Sequence, residues 1–371
     1  MSSDNATIAT LTTIQGYLQK YFGITIITIT SIGNICNFIV FLRIPPLNKH
    51  PNALFVIASS IGSFIFVNAA LWTTIINQFA QFNLTTRSLF WCKIYTWFYY
   101  SSGCFSFMCH CFAALGQCLL VSQKIQWQQF LTRLKAKLII ITTAMIWLLI
   151  FVPLPIYNNL IQISSGTYSC RNSLQIISLY INYWVIIGYY LLPTLLILIL
   201  FILTWYNLRQ LLQRRRNIEG VITRMMLIQM FVILLCGIPA AICIIYLLST
   251  SNMSKTRLRS SYESTMNLIF TLLTFLTNGI SFWIYLFTSQ SFRKHLKEFL
   301  LRVVTEREIV NEAEIQKSAD QFVSAAKSLL PYYNDDFLLN TDQAGLQLEF
   351  PSTRTLSYQG ESMFNKWSNE R

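Results

Sequence analysis

The sequence predicts an all-α, polytopic membrane protein: a seven-transmembrane helix bundle with a short amphipathic surface helix after the last span. Three observations predict it. Of 371 residues, 54% are hydrophobic and 12% charged, where a soluble domain carries about 25% charge. The charges are also segregated, since between Asn5 and Tyr262 the only acidic residue is Glu219. Finally, seven apolar segments separated by short basic links each exceed or approach the roughly 20 helical residues that a bilayer core takes. A soluble helical bundle is the alternative, but its exposed faces need charge that these segments lack.

The segments are 21–44, 53–79, 92–121, 138–156, 177–206, 221–248 and 266–287, within a bundle of 21–290. Residues 1–20 read as an extracellular tail, with no basic start and apolar core of the kind a cleavable signal peptide has. In 291–304, Phe292, Leu296, Phe299, Leu300 and Val303 share one helical face while Arg293, Lys294 and Lys297 lie elsewhere, as in a helix resting on a membrane surface. Residues 305–371 turn polar and read as a flexible cytoplasmic tail. It has no cysteine for palmitoylation, and clusters Ser352, Thr353, Thr355, Ser357 and Ser362 near its end. Each phosphate there adds about −1.5 to −2 charge, making a docking strip for an arrestin-like tail binder. A plain solvated tail is the alternative.

Orientation follows from the basic residues. With the N-terminus outside, fifteen Lys and Arg flank the inner side and seven the outer side, so the positive-inside bias favours N-out and C-in at the plasma membrane. The net charge of +13 therefore reads as topology anchoring plus lipid contact, and not as nucleic-acid binding. Three Asn-x-Ser/Thr sequons, at Asn5, Asn83 and Asn252, all fall outside in this topology and are candidate glycosylation sites. Seven of nine cysteines lie within spans. Only Cys92 and Cys170 face an oxidising compartment, where they can pair with each other. The run Cys109-His110-Cys111 has the residue types of a metal site, but helical spacing points them to different faces, and packing explains them better. With His50, His110 and His295 scattered and no acid near a nucleophile, no enzyme activity, metal or cofactor is expected.

Several residues in register then point to a family. They are Gly33-Asn34 in the first segment, Trp147 in the fourth, Pro193 in the fifth, Pro239 in the sixth, and Tyr285 followed seven residues later by Phe292. With seven spans and a bridge from the third span to the second outer loop, the chain resembles the rhodopsin-like (class A) G-protein-coupled receptors over about residues 21–304. The resemblance implies an extracellular ligand site and a heterotrimeric G protein as inner partner. The departures sit at the family's switch positions. Gly116-Gln117-Cys118 stands where the family has a charged triplet, and Ser63 where it has a sodium-binding aspartate. The sixth segment reads Cys236-Gly237-Ile238-Pro239 without a tryptophan, and the seventh reads Ser281-Phe282-Trp283-Ile284-Tyr285. Glu219 occupies the register of the triplet's acidic partner. Gln117 can donate to it, or Glu219 can pair with Arg215, Arg216 or Arg224.

For the ligand, Tyr99 stands where amine receptors of the family carry an aspartate, and Phe275 near where opsins carry a lysine. The outer ends instead hold Lys93, Arg171, Lys255, Arg257 and Arg259, against Glu263 and Asp4, beside Tyr95, Tyr99, Tyr100, Tyr180, Tyr183 and Trp184. A basic rim over an aromatic floor suits an acidic or aromatic peptide; interfacial aromatic belts explain the same rings. Two other function classes stay open. A non-signalling, ligand-scavenging receptor fits the loss of arginine at Gln117. A channel or transporter expects ionisable or broken-helix features at mid-membrane, which the segments hardly show.

Overall fold

The computed structural model describes residues 2–44, 50–80, 84–164, 167–212, 219–251, 253–290, 292–299, 301–302, 315–321 and 324. Six helices are long and apolar enough to cross a membrane: Asp4–Arg43, Pro51–Asn77, Leu89–Leu120, Arg133–Tyr157, Gln175–Gln210 and Arg224–Ser249. A seventh span forms only if Arg257–Thr277 and Ser281–Thr288 are taken together, bent by 60° at their junction. These are called the first to seventh helices below. Side-chain caps set three of the starts: Ser88, Thr132 and Thr256 accept from the backbone N–H of Trp91, Lys135 and Arg259.

The outward faces are apolar. Ile141, Leu149, Leu235 and Ile242 are each 60–63% exposed on these helices, a pattern that water disfavours and lipid accepts. The chain is thus a multi-pass membrane protein by the length and surface of its helices.

Residues 2–17, expected as a tail, are helical, and a π-helical stretch Leu18–Phe22 joins them to Gly23–Arg43. At about 1.5 Å per residue, the 40-residue helix Asp4–Arg43 runs roughly 60 Å, twice a bilayer core of about 30 Å. In its polar first half Thr10, Thr12 and Thr13 turn their hydroxyls onto the carbonyls four residues back, which satisfies the hydroxyls without adding helix stability. Gln15 then ties it to the start of the seventh helix, donating to Thr265 Oγ1 at 2.7 Å and to the Ser261 carbonyl at 3.4 Å.

The first and seventh helices meet backbone to backbone. A Cβ on Gly33 would lie 2.2 Å from the Gly279 carbonyl oxygen, and one on Gly279 would lie 2.3 Å from Thr30 Cα. Only glycine fits both positions. Around this contact Asn37 Nδ2 donates to Ser281 Oγ at 2.6 Å and Trp283 Nε1 to the Ile29 carbonyl at 3.1 Å. Ser281 is therefore not a vacant switch position but the partner of Asn37.

Between the fourth and fifth helices the chain forms an antiparallel hairpin, β1 (Asn158–Ser164) and β2 (Thr167–Asn172), with Leu160 opposite Cys170. Cys170 is bonded to Cys92, which pins β2 to the third helix with Cα atoms 5.7 Å apart. Beyond the seventh helix, residues 292–299 are helical, with Phe292 buried against the rings of Phe282 and Tyr285. Residues 1–300 and 301–371 are separate compact units. In the second, residues 301–302, 315–321 and 324 are helical. Leu300, Val303 and the Ser352–Ser362 cluster lie outside the described residues.

Candidate ligand cleft and inner polar network

A cleft of about 340 Å³ opens among the first, second, third and seventh helices. Tyr95, Tyr99 and Tyr100 line it with Gln19, Thr74 and Thr271. The third helix puts Trp91, Tyr95 and Tyr99 on one face by their four-residue spacing. They stack in succession, with ring centroids 6.2 and 6.1 Å apart, and Phe66 continues the stack 5.0 Å from Tyr99. Below lies a narrower pocket shared by Tyr99 and Tyr100 with Phe66, Tyr189, Tyr190 and Phe275. The Tyr189 phenol there is buried and approaches the Asn278 side chain without a hydrogen bond of normal geometry.

The remaining outer residues singled out from sequence lie elsewhere. Trp184 packs edge-on against Trp147, and Tyr180 meets Trp184 while donating to the Ile150 carbonyl at 3.3 Å, so both sit between the fourth and fifth helices. Tyr183 is 55% exposed. Arg171 is exposed on β2, opposite Asn159. None of the four lines the cleft. Of the basic rim, Lys255 and Arg259 are paired with Glu263 at 2.5 and 2.9 Å, and Tyr246 joins the same cluster. Asn5 is exposed on its helix; Asn83 and Asn252 lie outside the described residues.

Beneath the cleft, hydroxyls and amides knit the helices together. Ser63 lies 2.5 Å from Ser106 Oγ and donates to Asn278 Oδ1 at 3.1 Å. Ser106 donates to the Ser59 carbonyl at 3.1 Å. This neutral arrangement offers no charge for a cation, and among the described residues no cluster of His, Cys, Asp and Glu suits a metal.

Deeper still, Tyr285 donates to Gln229 Oε1, and Gln229 Nε2 lies 3.3 Å from His110 Nδ1. The three residues link the third, sixth and seventh helices, and all three side chains are buried. Sequence reasoning named Tyr285 and read His110 as packing, but passed over Gln229, Tyr189 and Tyr190. The available signal was a glutamine alone in the middle of an apolar segment, a costly choice without a partner.

At the inner end of the third helix, Gly116 lies directly under Asn52. A Cβ there would sit 1.8 Å from Asn52 Oδ1. Gln117 is 1% exposed and Cys118 half-buried. Glu219 begins the helix that contains Pro239, but its side chain lies outside those described, and with it the expected pairing to Gln117. Gln123 donates to Gln210 Oε1 instead, joining the ends of the third and fifth helices.

No protein-family model matches this chain, and no curated protein is significantly similar to it.

Proposed function

We propose that this chain is a cell-surface receptor of the rhodopsin-like type. It binds an extracellular ligand in the cleft and passes the event through the bundle to a heterotrimeric G protein. The observation that supports the reading is an unbroken run of side-chain contacts from the cleft to the buried polar network. Tyr99 stacks on Phe66, Phe66 meets Tyr189 at 5.2 Å, Tyr189 meets Phe107 at 4.6 Å, and Phe107 meets His110 at 6.2 Å. His110 then opens the polar network to Gln229 and Tyr285. A ligand that shifts Tyr99 therefore acts on a packed column that ends at three helices held by hydrogen bonds. Interior packing resists gradual deformation, so such columns favour two discrete arrangements.

The altered triplet fits a receptor whose inactive state is held by neutral hydrogen bonds in place of an ion pair. Because Gln117 carries no charge, a non-signalling receptor of the same architecture is the competing reading. The test is guanine-nucleotide exchange on a panel of heterotrimeric G proteins, with the full chain purified into lipid nanodiscs. A functional receptor raises exchange above that of empty discs for at least one G-protein class, even without ligand. Exchange equal to empty discs across the panel favours the non-signalling form.

A further inference from the structure

We propose that the cleft takes an uncharged aromatic ligand, flat enough to extend the stack of Tyr95, Tyr99 and Phe66 and bearing groups that hydrogen-bond to the phenols beneath. The inference rests on the cleft being the ligand site of the receptor proposed above, and it concerns the chemistry of that site.

The walls supply no counter-charge. No Asp, Glu, Lys, Arg or His lines the cleft or the pocket under it. Of the basic residues at the outer ends, Lys255 and Arg259 bind Glu263, Arg171 is exposed on β2, Lys20 lies over the Phe79 ring, and Lys93 does not line the cleft. A carboxylate entering this site loses hydration without a counter-ion, and an ammonium is met only by ring faces and phenol oxygens, so a formal charge is disfavoured on either.

The polar groups that remain are specific in kind. Thr74 and Thr96 donate back to the carbonyls of Ala70 and Cys92, at 3.0 and 2.8 Å, so their hydrogens are used. The Tyr99 and Tyr100 phenols make ring contacts but no hydrogen bond to another described residue. Tyr189, only 7% exposed, brings a buried hydroxyl without a normal partner to the pocket beneath, whose volume of about 30 Å³ has room for one small polar group. An unmet buried hydroxyl is costly, and a ligand oxygen or amide reaching this depth relieves it. Aromatic stacking above and phenol hydrogen bonds below together select a flat, neutral, hydrogen-bonding molecule.

Three probes of one shape test this: hydroxybiphenyl, its carboxylate and its aminomethyl derivative. Binding to the full chain in nanodiscs is measured by titration calorimetry. Hydroxybiphenyl is expected to bind at least about tenfold more tightly than either charged analogue. Tyr99→Phe and Tyr189→Phe should weaken it by about three- to tenfold, while Tyr183→Phe, outside the cleft, leaves it unchanged. The proposal is overturned if the carboxylate or amine binds as tightly, if hydroxybiphenyl does not bind, or if neither cleft substitution matters. Nucleotide exchange in the same discs separates the two readings. Hydroxybiphenyl binding without any exchange retains the ligand class and removes the receptor, whereas basal exchange without hydroxybiphenyl binding does the reverse.

Discussion

At the scale of single residues, the departures from the family pattern acquire physical causes. Gly116 stands where an acid is expected, and its missing side chain is what lets Asn52 pack against the third helix. Asn52 is 2% exposed, so its side chain has little room to yield, although no hydrogen bond holds its amide atoms in place. Gly116→Asp should therefore lower stability by about 1–3 kcal/mol, as overpacking usually does, read as a fall in the thermal midpoint in detergent. An unchanged midpoint would show that Asn52 swings away freely. The Ser281 hydroxyl likewise has a structural part, accepting from Asn37 at 2.6 Å across the first-to-seventh interface. Ser63 makes neutral hydrogen bonds, with Ser106 and Asn278. Agonist affinity should then be insensitive to replacing sodium with a bulky cation at constant ionic strength, and a several-fold sodium-specific shift would refute this.

At the scale of elements, the apolar segments were legible because hydrophobic run length alone sets which pieces can cross a bilayer. The expected segments 53–79, 92–121 and 177–206 lie within a few residues of Pro51–Asn77, Leu89–Leu120 and Gln175–Gln210. What escaped were features made by tertiary contact. The helix at 2–17 is polar and weakly patterned, and it relies on Gln15 meeting Thr265. The β1–β2 hairpin is too short to announce itself, and the bend of the seventh helix falls at the junction where Gly279 lies against Thr30. The cleft was half legible. Tyr95, Tyr99 and Tyr100 stand on a face set by helical spacing, whereas Tyr180 and Trp184 turned towards the fourth helix, a direction that residue type does not reveal. Gly279→Leu should separate the first and seventh helices and cost at least about 1–3 kcal/mol, because the obstruction is backbone that cannot rotate aside. Cys92→Ser should cost about 2–4 kcal/mol by freeing β2. Thermal unfolding of each variant, with and without reductant, checks both; reductant should not further destabilise Cys92→Ser.

At the scale of the whole molecule, the bundle contrasts two faces and two ends. Its outward surface is apolar, its interior carries hydroxyls and amides in place of charges, and the aromatic column from Tyr99 to His110 connects an open cleft to the polar network among three helices. In the proposed receptor this neutral network holds the resting arrangement. Gln229 is its midpoint, bonded to Tyr285 on one side and in contact with His110 on the other. Replacing it with leucine keeps the bulk apolar while leaving both partners unmet, a change of about 1–3 kcal/mol in the resting state. Since about 1.4 kcal/mol corresponds to a tenfold shift in an equilibrium, the active fraction should change measurably. The decisive measurement is ligand-free guanine-nucleotide exchange by Gln229→Leu in nanodiscs, compared with wild type and with empty discs. The account predicts wild-type exchange above empty discs and a rise of about three- to tenfold in the variant. Exchange by a folded Gln229→Leu that equals wild type would contradict it.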